Sequence, residues 1–284
     1  MIELVVVKPG VRSLIQDGGR LGYLRVGVTE SGAYDRGALA AANRAVGNDA
    51  SAAGIECLLG GLELRCRGGA SIAVTGARAG ITVDGESAMF GTAIQLVNDG
   101  VLRIGRAKQG LRSYLAVSGG IDGLEQLGSQ STDTMSGIGP APLAVGDQLS
   151  IGQSSGAIGS PAAPPVVRTD NSPIRVTPGP HDDLLAAPLA ELLNDGEWVV
   201  SPSSDRIGLR LTGPALPLTV TASLPSEPTL RGAIQVPPDG QPVILGPDRP
   251  TTGGYPVVGV VIDADLDRLA QLRPGTRIVL AVDS

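Results

Sequence analysis

One frame of residues occurs twice in this chain, and that repetition limits the available folds more than any other feature. Residues 93–122 read AIQLVNDGVLRIGRAKQGLRSYLAVSGGID, and residues 233–263 read AIQVPPDGQPVILGPDRPTTGGYPVVGVVID. Ala93-Ile94-Gln95 matches Ala233-Ile234-Gln235, and Asp99-Gly100 matches Asp239-Gly240. With one inserted residue, Gly105 matches Gly246, Tyr114 matches Tyr255, and Ile121-Asp122 matches Ile262-Asp263. The match extends outward in the same order. Val7-Lys8-Pro9-Gly10 parallels Val176-Thr177-Pro178-Gly179, Thr75-Gly76 parallels Thr212-Gly213, and Gly146–Ile151 parallels Gly275–Leu280. A duplicated frame means one supersecondary unit built twice. What differs on a shared frame is where function sits. The second copy carries Asp248-Arg249-Pro250-Thr251-Thr252-Gly253-Gly254, where the first has Lys108, Arg112 and Ser113 in another arrangement.

The duplication divides the 284 residues into two domains of ordinary size. Apolar residues make up 42% but aromatics only 2%, so the cores must be built from Val, Leu, Ile and Ala. Forty-one glycines and 22 prolines supply the turns of a mainly β chain with a few short helices. The expected boundaries are an N-terminal half at 1–152, a linker at 153–173, and a C-terminal half at 174–284. The linker is rich in Ser, Ala, Gly and Pro and has no period. The first half carries an insertion at 16–55 with no counterpart in the second. It is polar and glycine-rich, and long loops on a rigid scaffold concentrate function.

In order, the chain opens on a buried strand, Ile2 to Val7, stopped by Pro9-Gly10. Within the insertion Asp35 is a good N-cap, Leu39, Ala42 and Val46 form an apolar stripe, and Gly47 ends the helix. Strands follow around Leu62–Cys66, Ser71–Val74, Ala93–Val97, Val101–Ile104 and Ser113–Val117. A short helix is expected near Leu124, then a polar loop at Gly128–Asp133 that the second copy lacks. In the second half a strand is expected at Ile174–Val176, a helix at Pro188–Asn194, and an alternating strand at Arg206–Leu211. A last helix carries Leu266, Leu269 and Leu272 until Pro274-Gly275 stops it, before a strand at Arg277–Val282.

Several function classes are poor fits. The net charge is −6, the only lysines are Lys8 and Lys108, and no basic run is present, so nucleic acid is not an expected partner. His181 stands alone, too few for a His-based zinc site or a serine triad, and no metal is expected. No Gly-rich phosphate loop occurs. Cys57 and Cys66 read as buried thiols. MIELVVVKPG lacks the pattern of a signal peptide, and no apolar stretch is long enough for a bilayer. A soluble cytoplasmic protein is expected, with no membrane partner.

Four polar clusters carry chemistry: Gln16-Asp17-Arg20, Ser31 with Asp35, Asp205-Arg206, and Asp248-Arg249-Thr251-Thr252. Asp beside Arg is commonly a turn ion pair. Its recurrence beside glycines points instead to sites where guanidinium forks grip a carboxylate or amide oxygen. Thr251-Thr252-Gly253-Gly254 offers hydroxyls and unshielded N–H groups, a cradle for a developing oxyanion. Asp17 and Asp248 serve as acid or base only if burial shifts them.

At these residues the chain resembles a known family. Gln-Asp-Gly-Gly-Arg-Leu-Gly at 16–22, Ser-Gly-Ala-Tyr-Asp at 31–35, Ser-Asp-Arg-Ile-Gly at 204–208, Gly-Ala-Ile-Gln-Val-Pro at 232–237 and Asp-Arg-Pro-Thr-Thr-Gly-Gly-Tyr-Pro at 248–256 look like signatures of allophanate hydrolase subunit 2. That family includes KipA, the C component of 5-oxoprolinase and the carboxyltransferase domain of urea carboxylase. Pro250 stands where glutamine is expected. The resemblance implies two cyclophilin-like β-barrels and a site shared with a KipI-like or allophanate hydrolase subunit 1-like partner. A LamB/YcsF-type third subunit is a further possible partner.

It implies catalytic roles for Asp17, Asp248 and Arg249. Substrate contacts are expected from Gln16, Arg20, Ser31, Asp35, Asp205, Arg206, Gln235, Thr251, Thr252, Gly253, Gly254 and Tyr255. The first expectation is a subunit of an ATP-dependent complex that opens 5-oxoproline to glutamate. This chain itself binds no cofactor in that reading. The alternatives are biotin-dependent carboxyl transfer to urea or a related amide, and a KipA-like regulator of a kinase inhibitor. No Met-Lys-Met occurs, so this chain does not itself carry biotin.

Overall fold

The structure, a computed structural model, describes residues 2–153, 172–194, 196–219 and 224–283. All but the ends of the expected linker at 153–173 lies outside the described residues. The chain forms two compact units. One comprises Met1–Leu21 with Ser31–Arg168, the other Gly22–Glu30 with Thr169–Ser284. The insertion is therefore divided: most of it belongs to the first unit, and Gly22–Glu30 belongs to the second.

The strands of the first unit are β1 (Glu3–Pro9), β2 (Arg12–Gln16), β3 (Gly54–Leu58), β4 (Leu62–Arg67), β5 (Ala70–Arg78) and β6 (Ile81–Val83). They continue as β7 (Glu86–Ala88), β8 (Ile94–Leu96), β9 (Val101–Ile104), β10 (Gln109–Val117) and β11 (Gln148–Ser150). Two sheets result, in the orders β11-β1-β4-β9-β6-β7 and β2-β3-β10-β5-β8. Alternation sorts their faces. Leu4, Val6, Leu64, Cys66 and Leu102 of the first sheet meet Ile55, Cys57, Ile72, Val74, Leu115 and Val117 of the second in one core. Cys57 and Cys66 are free, buried thiols. Close approach requires glycine at one crossing: a Cβ on Gly60, at φ +76°, would lie 2.0 Å from the Gly105 carbonyl oxygen.

The inserted helix α1 (Arg36–Ala45) follows its sequence signals. The Asp35 carboxylate accepts from the Ala38 N–H at 2.8 Å. Gly47, at φ 78°, donates to the Arg44 carbonyl at 3.2 Å and ends the helix. Ala42, Ala45 and Val46 pack on Ala73 of β5 and Ala116 of β10, so α1 covers the face of the second sheet opposite the core. No helix forms near Leu124. That leucine is exposed, and Gln126 pairs with Ser129 across a turn whose Leu127 and Gly128 both have positive φ. The glycines at 119, 120, 123 and 128 leave no apolar stripe to drive a helix.

The second unit is a closed barrel. Its strands are β12 (Ile174–Pro178), β13 (Glu197–Val200), β14 (Gly208–Thr212), β16 (Ala233–Gln235), β17 (Val243–Leu245), β19 (Val257–Val261) and β20 (Arg277–Val282). They close in the order β12-β19-β16-β17-β14-β13-β20. Two further strands, β15 (Glu227–Pro228) and β18 (Thr252–Gly253), form a separate ribbon. The repeated frames pair differently. Strand β17 joins β16 and β14, whereas its match β9 joins β4 and β6. Among the described residues the hairpin β6–β7 has no match in the second copy, and β6 is the partner of β9 that lies between it and β7. The second copy is thus one ring, while the first is two sheets on one core.

Helix α2 (Leu189–Asn194) follows Pro188, and α3 (Asp263–Leu269) ends short of Leu272. In the first turn of α3 the buried Asp265 carboxylate accepts from the Arg175 N–H at 2.9 Å and from its guanidinium at 3.0 and 3.2 Å. Arg268 lies 3.3 Å away. Burial pushes this carboxyl up, but the hydrogen bonds from Arg175 and the charge of Arg268 hold it below the ordinary carboxylate value. A depressed folded-state value contributes stability above the unfolded value of about 3.9, and that stability is lost as pH falls through the folded value. The barrel should therefore lose stability below about pH 4, and Asp265→Asn should lose less on acidification. Trp198, the only tryptophan, is fully buried in this unit and reports its unfolding in urea. Equal acid-induced losses in both proteins would reject the assignment.

Candidate functional site

In the barrel, the polar cluster is built on the turn after β17. The Gly246 N–H donates to the Ile207 carbonyl at 2.8 Å, and the Asp248 N–H to the Arg206 carbonyl at 3.1 Å. The Asp248 carboxylate, with no exposed surface, receives Arg206 as a fork: Nε to Oδ2 at 2.8 Å and Nη2 to Oδ1 at 2.9 Å. This is a bidentate buried ion pair. It gives the buried Arg206 guanidinium a counter-charge. Thr29, from the Gly22–Glu30 segment, donates its hydroxyl to the Pro247 carbonyl at 3.1 Å. Asp205 accepts from the Ile207 and Gly208 N–H groups at 2.8 and 3.0 Å, a turn-forming role.

Arg249 is almost wholly buried, and its Nε donates to the Thr229 carbonyl at 3.3 Å. The chain after it runs antiparallel to residues 224–229. Thr229 donates its N–H to the Thr251 carbonyl at 3.0 Å and its hydroxyl to the Pro250 carbonyl. Glu227 faces Gly253, Pro228 faces Thr252, and the Leu224 N–H donates to the Gly254 carbonyl at 3.2 Å. His181 braces this ribbon. Its Nδ1 accepts from the Val257 N–H at 3.1 Å, which leaves the proton on Nε2, 3.4 Å from the Glu227 carboxylate.

Thr251, Gly253 and Gly254 are half-buried, while Thr252 and Tyr255 are exposed. Gln235 lies beneath them: a Cβ on Gly253 would come within 2.6 Å of its Nε2. Gly253→Ala should therefore displace the Gln235 amide, while the unfolding of the barrel changes little. A crystal structure of the variant with Gln235 unmoved would reject this contact.

The first unit holds a second cluster, where the insertion meets the polar loop at 129–133. Asp17 accepts from the Gly19 N–H at 2.8 Å, the Gln130 N–H at 2.7 Å, the Ser129 hydroxyl at 2.7 Å and the Ser131 hydroxyl. Four donors on one carboxylate tie two loops together. Arg20, with no exposed surface, donates to the Gln126 carbonyl at 3.2 Å and to the Ser131 carbonyl. Gln16 Nε2 and the Ser31 hydroxyl both donate to the Thr132 carbonyl, at 2.8 and 3.1 Å. Gln16 Oε1 is buried and accepts no hydrogen bond among the described residues. Such an acceptor calls for a donor from a ligand or an ordered water. Ser31, at φ 52°, occupies the left-handed region that its type visits seldom.

Beneath that loop lies a row that no sequence motif marks. Register sets Glu56 of β3 opposite Tyr114 of β10, and Tyr114 opposite Thr75 of β5. Their neighbours Ile55, Cys57, Leu115 and Val74 face the core, so this row faces α1. Glu56 Oε2 accepts from the Tyr114 hydroxyl at 2.8 Å and the Tyr34 N–H at 2.9 Å, and Tyr114 accepts from the Asp35 N–H at 2.7 Å. Arg112 Nε lies 3.4 Å from Glu56, and its guanidinium sits 4.5 Å from the Tyr34 ring centre. Burial, then the charges of Glu56 and Asp35, push the Tyr114 phenol well above its usual value, so it stays a donor. One signal could have found the row: Gly-Ile-Glu-Cys-Leu places a carboxylate inside an apolar strand. Among the described residues no group of three or more His, Cys, Asp or Glu is placed to hold a metal, and no helix is long and apolar enough to cross a membrane.

Residues 26–281 match the model of the carboxyltransferase domain, subdomains A and B. The chain belongs to this family. Within it, the chain is 37% identical to the C component of the Escherichia coli 5-oxoprolinase, over 97% of its own length and 89% of the relative's. It is 34% identical to the urea amidolyase of Lachancea kluyveri over 96% of its length, but spans only 16% of that protein. The solved urea amidolyase of K. lactis superposes with a TM-score of 0.91 at 32% identity, over 99% of this chain and 19% of that one. This carboxyltransferase-family chain is therefore homologous both to a component of 5-oxoprolinase and to a domain of urea amidolyases.

Proposed function

We propose that this chain is a subunit of an ATP-dependent 5-oxoprolinase-type complex that opens a small cyclic amide. The observation that carries the reading is the 37% identity to the 5-oxoprolinase component over nearly the whole of both chains. Opening an amide places negative charge on its oxygen. Arg249, with the hydroxyls of Thr251 and Thr252, is the group assigned to stabilise that oxygen. Gln235 orients the ligand below Gly253. In the first unit, taken by itself, Gln16 and Ser31 are assigned to ligand contact, and the buried Gln16 acceptor suits an N–H donor. Asp17 holds two loops and Asp248 pairs with Arg206, and acid or base work by these two carboxylates stays part of the proposal.

Nothing in this chain is assigned to ATP, which a KipI-like partner and a LamB/YcsF-type subunit would handle. The test is to purify the chain with those partners and follow glutamate release from 5-oxoproline with ATP. Equal activity with this chain left out rejects the reading. Biotin-dependent carboxyl transfer to urea or a related amide is the second reading, supported by the likeness to urea amidolyases. Inhibition of the assembled enzyme by avidin would favour it.

A further inference from the structure

We propose that Glu56 and Tyr114 are positioning residues that fix the Ser31–Asp35 loop in its ligand-binding geometry, a proposal that rests on the functional reading above. Two backbone donors of the loop end on this pair: the Tyr34 N–H on Glu56 at 2.9 Å and the Asp35 N–H on the Tyr114 hydroxyl at 2.7 Å. The Tyr114 hydroxyl donates its own proton to Glu56 at 2.8 Å, so the three groups form one chain of hydrogen bonds. The loop begins at Ser31, whose hydroxyl shares the Thr132 carbonyl with Gln16. A shift at Tyr34 and Asp35 is therefore transmitted to the two groups assigned to the ligand.

The core does not need this pair for its own sake. Replacing both partners of a buried hydrogen bond by apolar groups of the same shape can be nearly neutral. The flanking strand residues Ile55, Cys57, Val74 and Leu115 already form an apolar core. The two copies of the frame make the same point. Tyr255, which matches Tyr114 in the repeat, is 49% exposed in the barrel, where the inserted loop has no counterpart. The buried hydroxyl and its carboxylate occur in the copy that has a loop to hold.

Tyr114→Phe in the full chain tests this, because it deletes one hydroxyl and keeps the ring. Hydrogen exchange of the Tyr34 and Asp35 amides should accelerate about tenfold or more, while amides of β5 and β10 stay as slow as in the parent. In the assembled enzyme KM for 5-oxoproline should rise about tenfold, with kcat within about threefold. Unchanged exchange in the loop overturns the proposal. So does acceleration spread evenly through the sheet, or a variant that does not fold, because either assigns the pair to the core alone. If the parent complex does not open 5-oxoproline, the substrate assignment fails, while the exchange comparison still decides the role of the pair.

Discussion

Asp248→Ala should destabilise the barrel by about 3–5 kcal/mol. The change strips a counter-charge from Arg206, which is buried and donates two of its N–H groups to Asp248. A buried guanidinium that loses a bidentate counter-charge costs more than a missing surface pair, worth at most about 1 kcal/mol. The paired substitution Arg206→Met with Asp248→Leu should recover most of the loss, because it removes both charges and fills similar volume. Urea unfolding followed by Trp198 fluorescence measures all three proteins. A loss below about 1 kcal/mol for the single variant would show that the pair is effectively solvated. The contrast with Asp205 is informative: its carboxylate serves only an exposed turn, and its removal should cost little.

Arg249→Ala should reduce kcat/KM of the assembled enzyme by about a hundredfold to a thousandfold. The guanidinium is fixed before any ligand arrives, held against the Thr229 carbonyl by the ribbon at 224–229. A donor already oriented needs no reorganisation as charge develops on the amide oxygen. Arg249→Lys should recover only part of the loss, since an ammonium keeps the charge but not the planar fork. Trp198 fluorescence would confirm that the barrel still folds, and co-purification would confirm that partners still bind. Full turnover by Arg249→Ala, with partner binding intact, would favour a KipA-like regulatory role.

Much of this architecture is legible in the sequence wherever a signal is local. Asp35 and Gly47 bracket α1 because capping depends on a few adjacent residues. The end of α3 is less sharp: Leu272 continues the apolar period, yet the helix ends at Leu269, with Pro274-Gly275 following before β20. Non-local choices are not written in any window. A repeated frame gives a ring in one copy and two sheets in the other, with the hairpin β6–β7 at one end of the β9 sheet. The clusters were legible as residue types and not as roles. Asp17, Arg20, Arg206 and Asp248 stand out by composition, and the geometry adds their partners: Asp17 and Arg20 bond the polar loop, and Arg206 pairs with Asp248. Glu56 and Tyr114 are adjacent solely through strand register, which no spacing in the chain announces.

The placement of Gly22–Glu30 in the second unit has a consequence for dissecting this protein. A fragment beginning at Thr169 is missing part of its own structure, and the Pro247 carbonyl next to the Arg206–Asp248 pair loses the hydroxyl of Thr29. The two copies of the frame are therefore not separable modules. Swapping the C-terminal half between relatives would succeed only when this short N-terminal stretch travels with it.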